Sequence, residues 1–147
     1  REVRAEITKA VSIMRRLTTA GLPVFAVFGN HDYAMMTSKD RRLEWLAQEL
    51  KKELTAAGVR VLENEAVPLS LGGDSTSGTL YLVGVGSKYA GHSQPLTALN
   101  QLPSDAPRIA VMHNPESFAE FPPNTAPLAL AAHTHGGQIR IPFLPAW

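Results

Sequence analysis

The sequence predicts an α/β fold (α+β by some definitions). Three observations carry this. Amphipathic helical periods alternate with short apolar runs that suit buried strands. The element order is helix, strand, helix, strands, hairpin, strand, short helix, strand, which implies mixed layers around a sheet core. The chain has 147 residues, 44% of them hydrophobic and 18% charged, enough for one folded domain and wrong for a disordered segment.

Val3, Ile7, Val11, Met14 and Leu17 recur at helical spacing, and Gly21 follows as a stop. Leu22–Phe28 is a continuous apolar run whose length and β-branched and aromatic content predict a buried strand. Lys39–Ala57 reads as a helix with Leu43, Leu46, Leu50 and Leu54 on one face, ended by Gly58. Val59–Leu62 reads as a strand. Val67, Leu69 and Leu71 alternate as in a half-buried strand, and Gly72–Gly78 is a turn-rich loop. Thr79–Val85 then completes a hairpin. Residues 86–107 read as loop with one helical turn at Leu96–Leu99. Arg108–Met112 is a strand, Glu116–Phe121 a short helix broken by Pro122 and Pro123, and Leu128–Ala132 the last strand.

Composition excludes several classes. Fourteen Lys and Arg against 13 Asp and Glu leave a formal charge of +1, without the basic excess expected of a nucleic-acid binder. No cysteine is present, so disulfides, thiolate metal sites and cysteine nucleophiles are excluded. No apolar run reaches the roughly 18 residues that span a bilayer. The first residue is Arg1, inside a predicted helix, and the last stretch, Ile139–Trp147, has no closing element. The expectation is an internal piece of a longer protein.

Four of the five histidines follow predicted strands. His31 sits in Gly29-Asn30-His31-Asp32, His113 in His-Asn-Pro, and His133 and His135 in His-Thr-His-Gly-Gly; His92 alone stands apart. Ligands gather where strand ends converge in open α/β sheets. Imidazole and amide oxygen suit borderline divalent metals, and a pair of such ions can clamp a phosphoryl group. Any one of these histidines alone reads as structural; the joint pattern reads as a site. Asp32 reads either as a partner of His31 or as an Asx turn or helix cap. Tyr33 and Tyr89 read as edge-of-core packing, with pocket lining as the alternative. Lys88 and His92 read as solvated loop, with contact to a phosphate or head group as the alternative. Arg41–Lys52 reads as an amphipathic helix docked on the sheet, its acidic residues diluting any membrane-binding face.

These blocks, Gly29-Asn30-His31-Asp32, then His113, then Ala132-His133-Thr134-His135, resemble the last three motifs of the calcineurin-like metallophosphoesterases, in order, from about Arg1 to Ile141. The His-Asn-Pro and His-Thr-His-Gly-Gly-Gln blocks are most similar to a bacterial branch of membrane-associated phosphodiesterases and UDP-diacylglucosamine pyrophosphatase-like enzymes. The resemblance implies a helix-flanked two-sheet sandwich and two divalent ions (Mn, Fe or Zn). It implies Asn30, His113 and His133 as ligands of one ion and His135 as a ligand of the other. It implies His31 as the acid that protonates the leaving oxygen and Asp32 as the group that orients it. Ala132 replaces the family's glycine, and the first two motifs are absent. Asp74 follows Gly73 but reads as turn chemistry.

The resulting expectation is that residues 1–147 are the C-terminal portion of one metallophosphoesterase domain whose N-terminal metal-binding half lies upstream. The whole protein is expected to hydrolyse a phosphodiester or pyrophosphate by metal-bound hydroxide, and this chain alone is expected to be inactive. The expected substrate is a phosphorylated small molecule or a lipid-linked one, with peripheral membrane association left open. A catalytically dead metal-binding or regulatory module is the first alternative, and a single-metal hydrolase or zinc-binding structural domain the second. The compartment is not fixed; the bacterial resemblance favours cytoplasmic or membrane-associated.

Overall fold

A computed structural model describes residues 2–69 and 79–135. Leu71, the Gly72–Gly78 loop with Asp74, and the stretch beyond His135 lie outside the described residues. The architecture is α/β: among the described residues there are three α-helices, two short 3-10 turns and six strands.

Helix α1 (Glu2–Thr19) buries Val11 and half-buries Ile7 and Met14. It ends at Gly21, whose φ of +80° is left-handed. Strand β1 (Val24–Ala26) is shorter than the apolar run that predicted it. Helix α2 is Glu44–Ala56, so the expected start at Lys39 is corrected by five residues. The cause is local. The Asp40 carboxylate accepts the Met36 and Thr37 N–H groups at 2.8 and 2.7 Å, and this turn competes with helix initiation. Strand β2 (Val59–Val61) pairs in parallel with β1. Thr18 Oγ1 donates to Ala57 O at 2.6 Å and ties the ends of the two helices together.

The second sheet runs β3 (Glu65–Leu69), β4 (Leu80–Gly84), β5 (Arg108–Met112) and β6 (Ala129–Ala131), in that order. The expected hairpin is present: β3 and β4 are antiparallel, while β4–β5 and β5–β6 are parallel. Pro68 is tolerated because β3 is an edge strand. Gln101, just past α3 (Pro95–Leu99), covers that edge: it accepts from Ala66 N–H at 3.1 Å and donates to Asn64 O at 2.9 Å. Arg108 is buried, and its guanidinium is satisfied by the carbonyls of Ala106, Pro103 and Ser104. The predicted short helix is a 3-10 turn at Pro115–Glu120.

Two apolar cores result. One joins α1, α2 and the β1–β2 pair, with Tyr33 and Met35 filling its end. The other lies on β4 and β5 beneath Ala98, Leu102 and Phe121. Among the described residues, no helix is long and apolar enough to cross a membrane.

Gly84 shows how close the two layers approach. A Cβ there would sit 2.2 Å from Leu62 Cβ. Gly84→Ala is expected to cost about 1–3 kcal/mol by overpacking, read as a lower urea midpoint with an unchanged slope.

Candidate metal centre

The parallel run of β5 and β6 places their C-terminal ends side by side. The ladder continues past the strands through Ala132 N–H to His113 O at 3.1 Å, so His113 and His133 emerge as neighbours. From the other sheet, β1 leads through Phe28 and Gly29 into a 3-10 turn, Asn30–Tyr33. Gly29 packs flat against the His113 imidazole: a Cβ there would lie 2.5 Å from Nδ1 and Cε1.

Three side chains meet at one point. His113 Nε2 lies 2.9 Å from Asn30 Oδ1 and 3.1 Å from His133 Nδ1. Asn30 is buried, and its Nδ2 donates to Met35 O at 2.7 Å, so its oxygen is the atom presented to the histidines. His133 and His135 both have left-handed backbones, with φ of 68° and 52°. Non-glycine residues pay for that conformation, and such strain concentrates at functional sites.

Burial lowers the pKa of His113, and the charges of His133, His31 and His135 lower it further. The imidazole is therefore held neutral, with a lone pair to share. Two imidazole nitrogens and one amide oxygen around a common point are a donor set that fits a borderline divalent ion. Among the described residues no group of three or more His or acidic side chains could hold an ion, so this set depends on the Asn30 oxygen.

His31, Asp32 and His135 stand around the set. His31 is exposed, on the rim of a cleft of about 440 Å³ walled by Ile7, Ala10, Leu46 and Leu50, with Glu6 and Asp32 also on its lining. A larger cleft of about 630 Å³, along Thr8–Thr19 of α1 and Glu53, contains no histidine. Asp32 Oδ2 accepts the Gly29 N–H at 2.7 Å, which is the capping role the sequence allowed. Burial raises its pKa, while the Gly29 N–H and the charge of His31 pull it down. The carboxylate thus fixes the turn and is electrostatically coupled to His31. His135 is exposed and contributes to the field at His113.

Tyr89 packs at the edge of the first core, as expected, and its ring also meets His133 edge-on at 4.8 Å. Lys88 and His92 are corrected: neither is a free loop residue. Lys88 pairs with Glu120, and His92 Nε2 lies 2.9 Å from Glu44 Oε1. Sequence reading passed over Asn114 and Ser87, both fully buried. Asn114 Oδ1 accepts Lys88 N–H at 3.0 Å and binds the 86–92 loop to the strand end that carries His113. Its place in the His-Asn-Pro block was the available signal.

Two outcomes are expected. Gly29→Ala should displace the His113 ring and scatter the three donor atoms while the fold persists, checked by histidine side-chain NMR shifts against an unchanged far-ultraviolet circular dichroism spectrum. The second concerns Tyr33. Burial and Glu63, which accepts its hydroxyl at 3.1 Å, raise the phenol pKa well above its ordinary value. The unfolded chain then releases this proton at lower pH than the folded one, so stability falls as pH rises above about 10. Tyr33→Phe should flatten that alkaline decline in urea-unfolding titrations.

Several known proteins are similar to the chain. Phosphodiesterase YaeI of Escherichia coli is 34% identical over 122 residues, covering 83% of this chain and 40% of that protein. An uncharacterized metallophosphoesterase, YkoQ of Bacillus subtilis, is 27% identical over 119 residues, 81% of this chain and 40% of its own length. UDP-2,3-diacylglucosamine pyrophosphatase LpxG of Chlamydia trachomatis is 26% identical over 155 residues, 84% of this chain and 47% of its own. The chain thus spans less than half the length of these relatives. No protein-family model and no solved structure matches it.

Proposed function

We propose, because this chain belongs to the calcineurin-like metallophosphoesterases, that the whole protein is a metal-dependent hydrolase of a phosphodiester or pyrophosphate bond. The observation that carries the reading is the meeting of Asn30 Oδ1, His113 Nε2 and His133 Nδ1 at one point. In this reading those three hold one divalent ion, and His135 belongs to the ligands of a second. Manganese, iron or zinc would suit the donors. Such an ion, when bound, supplies charge stabilisation at the phosphoryl oxygens and lowers the pKa of water.

The chain's own residues have separate tasks. Asn30 and His31 are adjacent in a tight turn, so one faces the donor set while the other faces the cleft. His31 gives its proton to the leaving oxygen as the phosphorus–oxygen bond breaks. Asp32 holds the turn through Gly29 and is electrostatically coupled to His31 beside it. The aliphatic walls beside His31 suit a leaving group with an apolar part, which supports a lipid-linked substrate over a free phosphorylated metabolite.

The test is a screen of the full-length protein over phosphomonoesters, phosphodiesters and nucleotide-sugar pyrophosphates with Mn²⁺, Zn²⁺ and Mg²⁺. Metal-dependent turnover of a diester or pyrophosphate is expected; no turnover with any metal would leave a metal-binding module without catalysis. In the active protein, His31→Ala should lower kcat by about 10²- to 10⁴-fold with metal content near that of the parent. The loss should shrink for aryl esters, whose leaving groups need less protonation. Equal losses for good and poor leaving groups, or loss of metal, would contradict the acid role.

A further inference from the structure

The three donor atoms come from two different sheets, so something must set the spacing between those sheets. Asn30 belongs to the β1–β2 unit, and His113 and His133 to the four-stranded sheet. Metal affinity depends on ligand placement at the scale of about 0.5 Å. Besides the close approach of Leu62 to Gly84, the groups that span the junction form one polar cluster outside the donor set.

Tyr33, the last residue of the Asn30 turn, is buried and meets Phe28 edge-on at 6.3 Å. The His92 ring lies over the Tyr33 ring at 5.3 Å with a tilt of 31°. Both His92 nitrogens face carboxylates: Nε2 is 2.9 Å from Glu44 and Nδ1 is 3.9 Å from Glu63. Glu44 Oε1 is shared with Arg42 Nε at 2.7 Å, and the Arg42 guanidinium also donates to Ala90 O. Glu63 in turn takes the Tyr33 hydroxyl. The loop carrying His92 is itself closed. Asn64 donates to His92 O at 2.7 Å and accepts from Gly86 and Gln94 N–H at 3.1 and 2.9 Å. Within that loop Tyr89 rests against His133. The Asn30 turn is therefore linked to His133 by two ring contacts, Tyr33 with His92 and Tyr89 with His133, joined through the loop backbone that His92 N–H closes onto Ser87 O at 2.9 Å.

We propose that His92, oriented by Glu44 and seated on Tyr33, is a positioning residue that sets Asn30 at its distance from His113 and His133. The proposal rests on the metal reading above and goes beyond it. A side chain that merely filled space would need neither nitrogen aimed at a carboxylate; a brace needs both its ring face and its ring angle fixed. Supporting partners of this kind commonly change metal affinity by 10- to 100-fold when removed.

The experiment uses the full-length, metal-free protein, titrated with Zn²⁺ and with Mn²⁺, for the parent, His92→Ala, His92→Gln and Glu44→Ala. His92→Ala should weaken metal binding about tenfold, and excess metal should restore most of its turnover. His92→Gln keeps a donor for Glu44 but loses the ring seated on Tyr33, and should fall between the parent and His92→Ala in affinity. Glu44→Ala opens no core and should weaken binding in the same direction, which keeps the test valid should His92→Ala fail to fold. Affinities for His92→Ala within twofold of the parent, with only a lower melting temperature, would overturn the brace; so would a His92→Gln as weak as His92→Ala. A parent that binds neither ion would overturn the metal reading instead. The brace is then read in the metal-free protein from the Asn30 side-chain amide resonances. These should move in His92→Ala, and unchanged resonances would overturn it.

Discussion

The meeting of His113 Nε2 with Asn30 Oδ1 at 2.9 Å and His133 Nδ1 at 3.1 Å is the constraint around which the molecule is arranged. Two groups with lone pairs face the one His113 Nε2, which as either donor or acceptor cannot serve both well. Holding them there costs desolvation, visible in the lowered pKa of His113, and left-handed backbone at His133. The surroundings offset that cost. Gly29 gives up a side chain so that the imidazole can lie against the backbone. Asn30 uses its amide nitrogen on Met35, and Asp32 closes the turn on Gly29. A bound cation would turn mutual crowding of lone pairs into coordination.

The architecture makes this meeting possible because parallel strands deliver their ends to one side. Both β5 and β6 run out toward the set, and β1 runs out from the other sheet. The 86–92 loop then fills the angle between the sheets. Ser87 and Asn114 pin it to the His113 side, and Arg42, Tyr33 and Glu44 meet it from the other. Apolar packing supplies the cohesion of each layer; polar contacts, together with the close approach of Leu62 to Gly84, set how the layers stand to each other.

Much of this was legible in the sequence, for identifiable reasons. Strand β5 is bounded as predicted because Pro107 precedes it and His113 ends the apolar run that follows Arg108. The histidines at strand ends were legible because apolar runs stop abruptly at polar residues. Strand ends and the start of α2 were less so, since Asp40 makes a side-chain turn that periodicity does not register. His92 was misread because its partner Glu44 is 48 residues away and no local pattern joins them. The cap made by Asp32 was one of two readings, and only geometry shows its bond to Gly29.

The function of the site turns on whether Asn30, His113 and His133 share one divalent ion. The most direct measurement is anomalous diffraction from crystals of the full-length protein grown with Mn²⁺ or Zn²⁺. A peak within about 2.3 Å of Asn30 Oδ1, His113 Nε2 and His133 Nδ1 together is expected. A peak placed elsewhere, or a saturated crystal with these three atoms still bonded only to one another, would contradict a shared ion.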